Sequence, residues 1–398
     1  MVKELYQIHN REITLNVTGG AIDSVRKKNI VKSGCRVYEN GCIGVAGTLG
    51  GPTDDTWRAA QEALALGIAC PQGPTANLVR TRERGQMPGE GELIAWAEHI
   101  LATLKAEFPR FILSNKIKAR ETVTTLKNDA GLDLRERQCQ IVVSLVVKDE
   151  QSANVFDTFI HHLSPALDTA AVLDAGRQVM AAHENCIPMP QAQLPVVLGV
   201  ENLLGALYDA LSAKNLSRGA SLLSGKVGQK LFDGKLTMVI DRGEDSDVPF
   251  FDSEGTTLPG DRTALIEHGV LVRGLADKQC ADEFGADLTA SGAADYDDVP
   301  QLTWRGMDVV PTGTLEEILQ GGDAIYISTA SGGDTTPAGD FATPVQTAYL
   351  MHGGRLTARL PEFNFGGSIF DLLGSGYLGC PKEKPDSSRV LVLKGNIR

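Results

Sequence analysis

The chain has 398 residues, 42% of them hydrophobic, with 43 Gly, 18 Pro and a formal net charge of −12 at pH 7 from 38 basic and 50 acidic side chains. This describes a globular protein of two or three domains, and it excludes membrane-spanning helices, which need ~18 consecutive apolar residues. The longest uncharged run, Asn185 to Val200, is broken by Pro188, Pro190 and Pro195.

In chain order, Glu12 to Val17 alternates as a strand does. Arg36 to Tyr38 and Cys42 to Ala46 are short apolar runs around Asn40-Gly41, a strong hairpin signal. Thr53 predicts a helix through Leu66, with Asp54 and Asp55 in its first turn and Gly67 past its end. A second helix, Glu92 to Glu107, places Leu93, Trp96, Ala97, Ile100, Leu101 and Leu104 on one face and stops at Pro109. Ile112 to Leu126 and Leu132 to Lys148 read as strands, and Asp168 to His183 as a helix. The Pro-punctuated segment Cys186 to Pro195 then divides the chain into 1–185 and 186–398.

Beyond it, Val196 to Gly199 predicts a buried strand feeding a helix from Glu201 to about Ala213. Short strands follow at Leu236 to Asp241, Thr263 to Glu267, Val270 to Val272, Ala324 to Ser328 and Val345 to Met351, with a short helix near Ser368 to Leu373. The expected fold class is α+β: an N-terminal α+β domain, then a mainly antiparallel β domain with a central helix.

The N-terminus has no secretory pattern, so a cytoplasmic location is expected. Basic residues are scattered in a net acidic chain, which argues against direct nucleic-acid binding. Seven cysteines with no C-x-x-C read as reduced thiols. The one His-Glu pair, His183-Glu184, runs into Pro188 with no second His, and His183 fits a helix C-terminus interacting with the dipole. His161 and His162 point to opposite faces and read as surface or packing residues. No G-x-S-x-G or phosphate loop is present, and Gly374 to Gly379 matches G-x-G-x-x-G without its strand-turn-helix setting. Asp241, Glu244, Asp245 and Asp247 read as a solvated loop, as do Asp295, Asp297 and Asp298. Cys380 reads as an inert thiol in a tight turn; the alternative is a pKa lowered by nearby Lys382 and Lys384.

Phe251-Asp252-Ser253-Glu254-Gly255-Thr256, followed by Arg262 to Leu271, resembles the signature of the TldD/PmbA (TldE) family, the metalloprotease-like "modulators of DNA gyrase". Ser224 to Lys230 and Thr336-Pro337-Ala338-Gly339-Asp340-Phe341 are similar to two further family segments. In the metal-bearing TldD members, the resemblance implies a helix carrying His-Glu-x-x-x-His and a Cys near the C-terminus. Histidines five apart lie ~140° apart on an ideal helix, so such a site needs a distorted turn. Aligned from Val196-Val197-Leu198-Gly199, those positions are occupied here by Tyr208, Asp209 and Ala213, with Cys380 near the place of the C-terminal Cys.

The resemblance therefore implies the non-metal TldE/PmbA type: no cofactor on this chain, with zinc on the partner subunit only. The expected partners are a TldD-like metalloprotease subunit and an unfolded peptide substrate, and the chain can homodimerise when alone. Asp252, Glu254 and Arg262 are the candidates for contacts lining an interface or a peptide path. The alternatives are a stand-alone enzyme remodelled around Tyr208, Asp209 and Cys380, and a non-enzymatic regulator that binds peptides or gyrase.

Overall fold

The computed structural model describes residues 1–191 and 193–398, with Leu204 described through its backbone. Ala192, within the segment expected to divide the chain, lies outside the described residues. With 21% of residues in helix and 43% in strand, the fold class is α+β, as expected.

A large sheet organises the N-terminal half. Its strands are β1 (Val2–Thr18), β2 (Ala21–Glu39), β3 (Cys42–Leu49), β4 (Leu78–Arg84), β5 (Phe111–Asn128), β6 (Leu132–Asp149) and β7 (Thr158–Ser164). Their order is β3-β2-β1-β5-β6. β6 is flanked on its outer side by β4, parallel to Leu132–Gln138, and by β7, antiparallel to Ile141–Val147. The Asn40-Gly41 turn forms as expected, with φ of 49° and 74°.

Helices α1 (Asp54–Glu62), α2 (Glu90–Glu107) and α3 (Thr169–Glu184) match three of the expected ones. Thr53 caps α1, whose end tightens into a 3-10 turn before Gly67, and Asp168 caps α3. The predicted face of α2 is buried with α3 against Leu15, Ile117, Ile141 and Val143 on one side of the sheet. His183 does not act as a charge at a helix end. It is buried, stacks edge-on against Phe111 at 5.8 Å between ring centroids, and burial lowers its pKa.

On its other side the sheet has two regions. At one end Tyr6, Leu126, Leu132 and Leu134 form a hydrophobic cluster with Phe250 and Phe251. Nearby, β2 approaches the C-terminal half so closely that a Cβ on Gly34 would lie 1.8 Å from the Tyr296 carbonyl oxygen, so only glycine fits there. At the other end of this side, Arg26, Lys28 and Arg120 are exposed around buried Glu12 and Thr14.

The C-terminal half centres on β8 (Val196–Gly199), which lies between Val390–Leu393 and Asp323–Ala330 in a nine-stranded sheet. A four-stranded sheet contains β9 (Met238–Asp241), β10 (Arg262–Glu267) and β11 (Val270–Leu271). The His268-Gly269 turn joins β10 to β11, with φ of 49° and 80°. Ile266 and Leu271 are fully buried in the core, and Val270 is half-buried. The helix after β8 ends at Leu211, two residues short of the expected Ala213.

Candidate functional site

The helix after β8, α4 (Glu201–Leu211), forms because Leu203, Leu207, Ala210 and Leu211 recur at helical spacing and bury in the C-terminal core. Ser212 ends it with a ψ of 121°, and its hydroxyl accepts from the Asn215 N–H to start α5 (Ala213–Ser217). Ala213 is thus beyond the break, where its N–H donates to the Leu275 carbonyl at 2.9 Å. The Tyr208 hydroxyl donates to the Leu302 carbonyl at 3.1 Å, and burial followed by the nearby Asp209 charge raises its pKa. Asp209 itself is exposed.

Cys380 is fully buried, with its thiol 3.6 Å from the Val309 carbonyl oxygen. Burial pushes its pKa up to about 12, outweighing the attraction of Arg389 and Lys384, which agrees with the inert thiol and not with a pKa lowered by the lysines. Zinc needs deprotonated or neutral ligands that converge on it. A committed phenol, an exposed carboxylate, a methyl group and a protonated core thiol do not fit that requirement. Among the described residues, no group of three or more His, Cys, Asp or Glu side chains is placed to hold a metal ion.

The 251–256 segment is folded against the N-terminal sheet. Asp252 is buried; its Oδ1 accepts from the N–H groups of Glu254 and Thr256, each at 2.9 Å, and its Oδ2 from Gly292 N–H, also at 2.9 Å. Burial nonetheless raises its pKa, and burial followed by the Asp252 charge raises that of Glu254. Glu254 accepts from the Lys278 N–H at 2.9 Å. Arg262 is exposed at the start of β10 and pairs with Asp241, which is therefore half-buried and ion-paired rather than part of a solvated loop.

Around this segment, arginines of the N-terminal half reach into the C-terminal half. Arg82 grips buried Glu136 and donates to the Arg242 carbonyl at 2.7 Å, while Arg80 binds Asp261 through two hydrogen bonds. Glu136 in turn accepts from the Phe250 N–H at 2.8 Å. These buried charges are each partnered, as their burial requires.

A cleft of about 930 Å³ lies elsewhere, between β6, β7 and α3 on one side and residues 244–247 and 382–389 on the other. His161, His162, Tyr326, Asp386 and Ser387 all line it. The Tyr326 hydroxyl donates to Asp386 at 2.5 Å, and Ser387 Oγ is 3.5 Å from His162 Nδ1. Asp386 and Ser387 both adopt left-handed backbone conformations, with φ of 51° and 60°. Burial raises the pKa of Asp386 and lowers that of His162. Of the residues singled out in the sequence, His161, His162, Glu244, Asp245, Asp247, Lys382 and Lys384 line this cleft, and no pattern joins them. None of Tyr208, Asp209, Ala213 and Cys380 is among its lining residues.

Residues 193–378 match the family model of the PmbA/TldA metallopeptidase C-terminal domain. This part of the chain is similar to PmbA/TldD-type domains. An uncharacterized protein of Methanocaldococcus jannaschii is 25% identical over 272 residues, covering 66% of this chain and 62% of that protein. A metalloprotease of Archaeoglobus fulgidus is 24% identical over 213 residues, covering 51% of this chain and 49% of its own. The matched stretches thus span less than two thirds of both relatives. The structure of TldE from Thermococcus kodakarensis superposes with a TM-score of 0.77 at 18% identity, covering 100% of this chain and 96% of that one. At that identity the likeness establishes the fold.

Proposed function

We propose that this chain is the non-metal, TldE-like subunit of a cytoplasmic metalloprotease complex, with 1–185 and 186–398 as its two domains. It pairs with a TldD-like subunit that carries zinc, and together they cleave or mature unfolded peptides. The observation that carries this reading is the set of side chains at the positions the resemblance assigns to metal binding: Tyr208 bonded to a carbonyl, Asp209 exposed, Ala213 beyond a helix break and Cys380 protonated in the core. This chain's contribution is then enclosure and orientation of substrate rather than bond breaking.

Co-expression with a chain bearing His-Glu-x-x-x-His, followed by size-exclusion chromatography and an unfolded-casein assay, tests the reading. A heterodimer that cleaves casein, with this chain inert when purified alone, is the expected result. Chelator-sensitive cleavage by the chain alone would overturn it.

A further inference from the structure

The basic residues that look scattered along the sequence converge on one end of the N-terminal sheet. On the side facing away from α2 and α3, register places Arg26 and Lys28 of β2 opposite Thr14 and Glu12 of β1, which in turn stand opposite Lys118 and Arg120 of β5. Glu12 is the carboxylate at the centre. It accepts from Lys28 and Arg120, each at 3.2 Å, and from the Thr14 hydroxyl at 2.8 Å. Arg26, Lys28 and Arg120 are exposed. A concentration of cations in a chain of net charge −12 is a local reversal of its field.

This basic face ends at an uncovered strand edge. β3 pairs with β2 over Lys32–Glu39 and the Gly50 N–H just past it donates to the Val31 carbonyl at 2.8 Å, but among the described residues no strand pairs with the outer edge of residues 21–30. Asp23 to Ile30 are all exposed. An uncovered edge presents backbone N–H and C=O groups that another extended chain can complete. Antiparallel pairing of this edge with a second copy about its middle would set Arg26, Lys27 and Lys28 against one another, which like-charge repulsion disfavours. Phosphates would be drawn by the cations, but a nucleic acid has no peptide groups to complete the ladder.

We propose that residues 21–30 dock an extended acidic polypeptide, which adds as a strand to β2 and sets its carboxylates against Arg26 and Lys28. The proposal stands on this edge alone and does not require the subunit role proposed above.

The test measures binding of a fluorescein-labelled dodecapeptide of alternating Glu and Thr to the full chain by anisotropy, in about 0.1 M salt. Saturable binding is expected. It should weaken about tenfold or more in the Lys28→Glu variant, and likewise in Arg26→Glu, each checked for folding by circular dichroism. A peptide of the same sequence with alternate backbone nitrogens methylated should bind about tenfold more weakly, because the ladder cannot form. Absence of binding would overturn the proposal. So would equal affinity for the methylated peptide, affinity for oligo(dT) as high as for the peptide, or sedimentation as a dimer formed through this edge.

Discussion

Arg36 Nη1 donates to the carbonyl oxygen of Ser253 at 2.5 Å, joining residues 217 apart in sequence. The same nitrogen lies 3.4 Å from Glu4 Oε1, and the guanidinium sits 4.7 Å from the centre of the Tyr6 ring. Glu4 and Arg36 are both fully buried. Replacing Arg36 by Leu leaves Glu4 charged without its cation, so a loss of about 3–5 kcal/mol in urea unfolding is expected. Adding Glu4→Gln should restore part of it, with a coupling of about 1 kcal/mol or more in the double-mutant cycle. Additive losses would show that the pair does not act as a unit.

Glu254 links stability to pH in the opposite sense from an ordinary ion-paired carboxylate. Burial and the Asp252 charge raise its pKa in the folded state, so unfolding releases a proton as pH rises above the ordinary value of 4.5. The folded chain is therefore penalised towards neutral and alkaline pH. Glu254→Gln keeps an acceptor for the Lys278 N–H and removes the penalty. Its midpoint should match the native chain near pH 4 and exceed it at pH 8; a native-minus-variant difference independent of pH would refute this account.

Glu12 works the other way. Burial alone would raise its pKa, but the Thr14 hydroxyl, Lys28 and Arg120 outweigh burial and hold the carboxyl down to about 2 from 4.5. Its stabilisation is present above the unfolded value and is lost as pH falls from about 4.5 towards 2. After allowance for the half-exposed cations, Glu12→Gln should cost about 2 kcal/mol at pH 7 and much less at pH 2.5. A cost that does not shrink in acid would assign the loss to packing.

The thiols should separate by burial. Cys186 is exposed, whereas Cys380 is buried and its pKa is pushed up to about 12. Under native conditions at pH 8, iodoacetamide is expected to label Cys186 and leave Cys380 unmodified, as read by peptide mass mapping. Rapid labelling of Cys380 would show a thiolate that this environment does not support.

Sequence patterns revealed elements whose side chains sort by face or whose turns demand special backbone. The α2 face from Leu93 to Leu104 and the turn at Asn40-Gly41 are of this kind. β2 from Asp23 to Ile30 is exposed throughout, so it carries no apolar period to read. β4 is unread for another reason: Arg80, Arg82 and Arg84 look like surface residues until Glu136, Asp261 and the carbonyls of residues 242–248 are folded around them. The helix break at Ser212 has no Gly or Pro to announce it. The cleft is assembled from β7 and residues 382–389, more than two hundred positions later, and no local pattern could join His162 to Ser387.

Among the described residues, Tyr208, Asp209 and Cys380 do not come together as a metal site. Zinc per chain, measured by inductively coupled plasma mass spectrometry after loading with excess zinc and desalting, tests it most directly. The account predicts a substoichiometric content that is unchanged in Tyr208→Phe and Cys380→Ala. About one zinc per chain, lost in either variant while the fold is retained, would contradict it.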